Sequence, residues 1–193
     1  MSDIKKIIFF TLVPVLLIAA AYTYSWVSQE KVQDINADYS ETVKVPIIMY
    51  HGLIKDSSLQ TEYFISPDRF EEDLKYIKEN GYTPVFMSDL INFVYENKPL
   101  PEKPVVLSFD DGYYNNLLYL LPLLEEYSFN ALISVVGKFT RLYTDSGDKN
   151  PNYAHLSYDD IRLLDASGKI EIGNHTYDMH KLEPIRGSVR KKG

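Results

Sequence analysis

From Val45 onward the chain alternates between two hydrophobic rhythms. Four short runs are largely apolar and rich in β-formers, VPIIMYH (45–51), TPVFM (83–87), PVVLSF (104–109) and NALISVVG (130–137), and a fifth, KIEIGNH (169–175), is built around Ile170 and Ile172. Runs of that length and composition read as buried strands. Between them the apolar positions recur at helical spacing. In SPDRFEEDLKYIKENGY (66–82), Phe70, Leu74 and Ile77 fall on one face, Ser66 can cap, Pro67 suits the first turn and Gly81 can end the helix. SDLINFVYEN (88–97) reads as a second helix, opened by a serine. YNNLLYLLPLLEEYS (114–128) is mostly helical, with Pro122 as a kink or break. SYDDIRLLDASG (157–168) places Ser157 and Asp160 at capping-box spacing. The segment after the first strand reads as a polar loop.

Strands alternating with helices imply parallel strands joined by helical crossovers, hence an α/β domain. In such domains chemistry gathers at the C-terminal ends of the strands. Three stretches at such ends carry titratable groups: MYH (49–51), FDDG (109–112) and GNHTYDMH (173–180).

The N-terminus departs from this pattern. Lys5 and Lys6 precede an uncharged run from Ile7 to Gln29, long enough to span a bilayer. The lysines favour a cytoplasmic start, which places the remainder outside the cytoplasm. A cleaved signal peptide ending near Ala19-Ala20-Ala21 is the alternative, and it also exports the domain. The organisation expected is therefore a cytoplasmic stub and transmembrane or signal-anchor segment over 1–29, a polar linker over 30–44, and a domain over 45–193.

Charge and cysteine content narrow the partners. The 193 residues hold 20 Lys+Arg against 27 Asp+Glu, a net charge of -7, which argues against nucleic acid as the main partner. There is no cysteine, so neither a disulfide framework nor thiolate chemistry is available.

Asp110 and Asp111 are adjacent, and His175 and His180 stand five apart. An Asp-Asp-Gly triplet alone is usually a solvated turn, and helical zinc pairs are usually spaced three or four apart. At the ends of neighbouring strands the two groups can converge. Two imidazoles and one carboxylate make a common ligand set for a divalent metal, typically Zn²⁺, with a position left for water. The second carboxylate is then available to take a proton from that water. Gly112 lets the backbone turn sharply there.

LSFDDGYYNN followed by EIGNHTYDMH resembles the polysaccharide deacetylase family, the NodB-homology domain of carbohydrate esterase family 4. The leading VPIIMYHGL is similar to the start of the subgroup that contains poly-β-1,6-N-acetylglucosamine and several cell-wall deacetylases. The resemblance implies a (β/α) barrel, with Asp110 as general base and Asp111, His175 and His180 as ligands of a divalent metal, most often Zn²⁺. It makes Thr176 the residue that orients the motif loop. His51, ending the first strand, either lines the substrate pocket or is only a hydrogen-bonded packing residue. The implied partner is an acetylated amino-sugar polymer such as peptidoglycan or poly-N-acetylglucosamine, at the cell surface.

The family's later motifs are an arginine-containing segment, an aspartate-tryptophan segment and a leucine-histidine segment carrying the general acid. The tail KLEPIRGSVRKKG contains none of them, and Arg186 and Arg190 lack the surroundings of the arginine motif. The expectation is the N-terminal part of the domain, an incomplete barrel with an unpaired strand edge, an exposed apolar face and reduced activity. Two further readings stay open: a catalytically inactive, membrane-anchored relic that binds carbohydrate or metal, and an esterase acting on O-acetyl groups.

Overall fold

A computed structural model of the protein describes residues 42–179 and the backbone of two short strands beyond them. The chain opens with β1 (Ile47–Tyr50), followed by a small parallel pair, β2 (Gly52–Leu53) and β3 (Phe64–Ile65). Next come α1 (Pro67–Glu79), β4 (Thr83–Pro84), α2 (Met87–Glu96) and β5 (Pro104–Asp111). A π-helical turn at Asn116–Leu120 leads into α3 (Leu121–Tyr127). Then follow β6 (Ala131–Val136), α4 (Gly137–Ser146), α5 (Tyr158–Ala166) and β7 (Ile170–Thr176). The last elements are an antiparallel pair, β8 (Pro184–Ile185) and β9 (Ser188–Val189).

Five strands form one sheet in which every pairing is parallel. Its order is β1-β5-β6-β7, and β4 pairs with the start of β5 while β1 pairs with its middle, Val106 to Phe109. These are the five strands that the apolar runs predict. β5 is central and buried along most of its length, as a parallel strand covered on both faces must be. Leu107 and Phe109 pack with Phe70 and Leu74 of α1, Leu124 of α3 and Ile133 of β6 into one core. Tyr50 stacks on Phe109 with centroids 5.1 Å apart and meets Phe70 edge-on at the same distance. On β1, Ile47 and Met49 point away from that core and are 56% and 59% exposed.

The caps follow the sequence in two helices and depart from it in a third. Ser66 Oγ accepts from the Arg69 amide at 3.1 Å, and Gly81 takes a left-handed conformation just past α1. In α5 the Ser157–Asp160 box forms, and Asp160 also accepts from Lys149 Nζ at 2.8 Å. α2 begins one residue before Ser88, with Phe86 at the cap position, and the Asp89 carboxylate accepts the Phe86 amide at 2.9 Å. Ser88 instead directs its amide and hydroxyl to Glu171 of β7. Pro122 has no N–H to return to the preceding turn, and the Leu121 amide reaches five residues back to the Asn116 carbonyl.

Two elements go beyond the sequence reading. The loop after β1 contains the β2–β3 pair, where a Cβ on Gly52 would lie 2.7 Å from the Phe64 ring. α4 starts directly at the end of β6 with no intervening loop and no side-chain cap, so no turn signal announces it. Among the described residues no helix is long and apolar enough to cross a membrane. The span expected over 7–29 and the linker over 30–44, up to residue 41, lie outside them.

Asp160 sets an acid limit on this scaffold. Burial opposes its ionisation, but hydrogen bonds from Lys149 and Ser157 outweigh that and hold the carboxyl below its ordinary pKa of 3.8. A depressed folded pKa contributes stability that is complete above 3.8 and is lost as pH falls through the folded value. Asp160→Ala is expected to lower unfolding free energy at pH 7 by about 2 kcal/mol. Urea titrations at pH 7 and pH 3 test this, and the difference between wild type and variant is expected to shrink at the lower pH.

Candidate active site

The FDDG stretch ends β5. Asp110 is half-buried on the sheet face it shares with Ser108, whose hydroxyl lies 3.5 Å from its Oδ1. Asp111 is buried and takes φ +71°, and Gly112 follows at φ +68°. Two successive left-handed residues turn the chain abruptly, a conformation costly to any residue with a Cβ and tolerated best by Asp and Asn. At Gly112 the requirement is doubled, because a Cβ would stand 2.8 Å from Val135 Cγ1 of β6.

His175 comes from β7, two strands away. β6 and β7 run in register to Val135↔Asn174 and resume at Val136↔Thr176, so His175 is the extra residue of a β-bulge. A bulge re-aims a side chain out of the regular pleat. Here His175 Nε2 comes within 3.7 Å of Asp111 Oδ1, across the end of β6. Thr176 Oγ1 accepts the Met179 amide at 3.0 Å and so shapes the loop after β7. The start of α4 holds the same loop: the Lys138 amide donates to the Tyr177 carbonyl at 2.9 Å, and Lys138 Nζ pairs with Asp178 at 3.0 Å.

His180 lies outside the described residues, and among the described residues no three His, Asp or Glu side chains cluster tightly enough to hold a metal. The donor chemistry of the two that do meet suits one. Carboxylate and imidazole ligands at about 2.0–2.2 Å from a single zinc stand roughly 3.3–3.5 Å apart in a tetrahedral set. The observed 3.7 Å is within a small rotamer adjustment of that. His51 follows β1, half-buried, with its ring 5.0 Å from that of Tyr63 and its carbonyl accepting from Asn116 Nδ2 at 3.1 Å.

The residues after Gly112 brace the site. Asn115, fully buried, accepts the Leu53 amide at 3.1 Å and donates to the Pro151 carbonyl at 3.0 Å. Burial, the charge of Asp111 and a hydrogen bond to Asp111 together push the Tyr113 phenol far above its ordinary pKa, so it remains a donor. His155 is buried too, and its Nδ1 lies 2.9 Å from the Asp111 carbonyl oxygen. None of these stood out in the sequence. Asn115 directly follows the FDDGYY stretch, and that adjacency is the one signal that marks it; a lone histidine before a helix cap gives none.

Paired carboxylates at the end of a central parallel strand, facing an imidazole across the sheet, define an α/β domain with an acid–imidazole centre. A sequence model of the polysaccharide deacetylase family matches residues 97–191. The polysaccharide deacetylase homologue YxkH of Bacillus subtilis (strain 168) is 29% identical over 163 residues, 84% of this chain and 50% of that protein. The poly-β-1,6-N-acetyl-D-glucosamine N-deacetylase of Escherichia coli (strain K12) is 28% identical over 138 residues, 69% of this chain and 20% of that protein. A de-N-acetylase structure from Aggregatibacter actinomycetemcomitans superposes with a TM-score of 0.64 at 27% identity, covering 76% of this chain and 60% of that one. Together these matches support a NodB-type polysaccharide deacetylase domain. It spans half the length of YxkH and a fifth of the Escherichia coli enzyme.

Proposed function

We propose that the protein is a metal-dependent hydrolase that removes N-acetyl groups from an amino-sugar polymer of the poly-β-1,6-N-acetylglucosamine or peptidoglycan kind. The observation that carries this reading is the convergence of Asp111 and His175 at 3.7 Å beside Asp110. Asp111, His175 and His180 would hold the ion, most often Zn²⁺. Such an ion supplies Lewis acidity toward a carbonyl oxygen and makes a bound water easier to deprotonate. Asp110 takes the proton from the attacking water. The water oxygen bonds to the acetamide carbon, the C–N bond breaks as the departing nitrogen takes up the proton that Asp110 removed, and acetate and a free amine result. Thr176 and the Lys138 contacts keep the His175 loop in place while this occurs. His51, at the adjacent strand end, lines the approach to the site. The likeness to the Escherichia coli and Aggregatibacter proteins, named for N-deacetylation, favours N- over O-acetyl groups.

The uncharged run over 7–29, with Lys5 and Lys6 before it, would tether the domain outside the cytoplasm, where such polymers lie. Recovery of the full chain in the soluble cytoplasmic fraction would sink that location.

The decisive experiment measures bound zinc and released acetate together, on the full chain, with an N-acetylglucosamine oligomer as substrate. One equivalent of zinc and zinc-dependent acetate release are expected. Tight zinc without acetate would favour the inactive, metal-binding reading, and no zinc would remove the metal from the proposal.

A further inference from the structure

The segment 154–156 runs antiparallel to the turn that carries the aspartates. The Tyr114 amide donates to the Ala154 carbonyl at 2.8 Å, and the Leu156 amide donates to the Gly112 carbonyl at 2.8 Å. Tyr113 and His155 form an isolated antiparallel bridge between those bonds. At its centre the His155 ring is held on several sides: stacked on Tyr113 at 4.4 Å, tilted against Phe139 at 4.5 Å and against Tyr143 at 5.5 Å. That packing aims Nδ1 at the Asp111 carbonyl oxygen, 2.9 Å away. The carbonyl belongs to a residue in the left-handed region, where an L side chain is strained. Strain of that kind persists only where surrounding contacts over-determine it, and here the contacts come from the His155 ring, the Ala154 carbonyl and the Leu156 amide.

We propose that His155 is a positioning residue for Asp111: its Nδ1–H, fixed by the aromatic cage, locks the Asp111–Gly112 turn and so sets where the Asp111 carboxylate meets His175. The inference rests on the deacetylase reading for its catalytic meaning, but its structural content stands apart from any bound metal. The ring is buried, with 8% of its residue's surface exposed. It acts through the backbone of the residue that would hold the metal, as partners behind metal ligands generally do; their loss costs 10–100-fold in affinity.

Two substitutions separate the hydrogen bond from the packing. His155→Phe keeps a ring in the aromatic cage and removes the donor. His155→Asn gives up the stacking but can place its amide nitrogen where Nδ1 was. On the full chain, zinc affinity is read by competition with a chromophoric chelator, and exchange of the Tyr114 and Leu156 amides by NMR. In His155→Phe, zinc affinity is expected to fall about 10–100-fold and both amides to exchange faster. In His155→Asn both readouts are expected to return most of the way to wild type. Wild-type zinc affinity and amide protection in His155→Phe would overturn the proposal, as would equal losses in both variants. A wild type that binds no zinc would refute the metal reading and leave amide exchange to decide the inference. The unsubstituted protein gives an independent check through the imidazole ¹⁵N shifts of His155. A ring protonated on Nδ1 is expected, and one protonated on Nε2 alone would overturn the assignment whether or not either variant folds.

Discussion

Asp111→Ala is expected to abolish stoichiometric zinc binding, whereas Asp110→Asn is expected to retain zinc and lower acetate release by at least about 10²-fold. The two aspartates are neighbours in sequence but not in role, because the backbone separates them. Asp110 ends the regular pleat on the face shared with Ser108, half-exposed, as a group that meets water needs to be. Asp111 enters the left-handed region, and its buried carboxylate swings across β6 toward His175. Removing the Asp111 carboxylate takes away one of the two donors that converge, and with it the negative charge that favours a cation between them. Removing the charge of Asp110 leaves those donors in place and deletes the proposed proton acceptor, a role typically worth 10²–10⁴ in rate. Isothermal titration with zinc and an acetate assay on the same preparations distinguish the cases. Equal zinc affinity in wild type and Asp111→Ala would remove Asp111 from the ligand set. Full activity in Asp110→Asn would remove Asp110 as the base.

Gly112→Ala is expected to destabilise the domain by about 2–5 kcal/mol. Two costs add. An L residue in the left-handed region loses about 1–2 kcal/mol, and a methyl forced into a packed neighbour costs typically 1–3 kcal/mol. The neighbour is Val135, whose Cγ1, Cβ and backbone Cα would lie 2.8, 3.2 and 3.3 Å from the new carbon, on a strand paired on both sides. Gly147 supplies the control. It shares the conformation, at φ +69°, but a Cβ there meets nothing within 4 Å, so Gly147→Ala is expected to show the conformational cost alone. Against a typical total stability of 5–15 kcal/mol, the difference between the two is readily measured in urea. Equal midpoints for the two variants would refute the steric part of the argument.

Much of this arrangement was legible from periodicity. The five parallel strands, α1 with its Ser66 cap and the Ser157–Asp160 box of α5 all follow from local pattern, because apolar runs, caps and Gly breaks are written in consecutive residues. α4 was not legible. It joins β6 without a loop, opens at Gly137 and carries no side-chain cap, so the signals that separate strand from helix are missing. The β2–β3 pair is too short to have a period of its own and exists because Gly52 lets the Phe64 ring approach. At the site, strand ends and residue types pointed to Asp110, Asp111 and His175. The bulge that aims His175 and the bracing by Asn115 and His155 depend on residues brought together only by the fold. No spacing in the chain encodes them. His180, the remaining expected ligand, lies outside the described residues.

The bulge at His175 also fixes an order of assembly. Asp111 belongs to the strand that organises the core, so its carboxylate is in place as soon as β5 is flanked by β1 and β6. His175 arrives only when β7 docks on β6 and the register slips by one residue between Val135 and Val136. During synthesis β5 and β6 leave the ribosome before β7 does, because the chain emerges N-terminus first. A nascent chain therefore presents its acidic half-site well before its imidazole. Any ion held jointly by Asp111 and His175 would require β7 to be docked on β6 with the register slip in place.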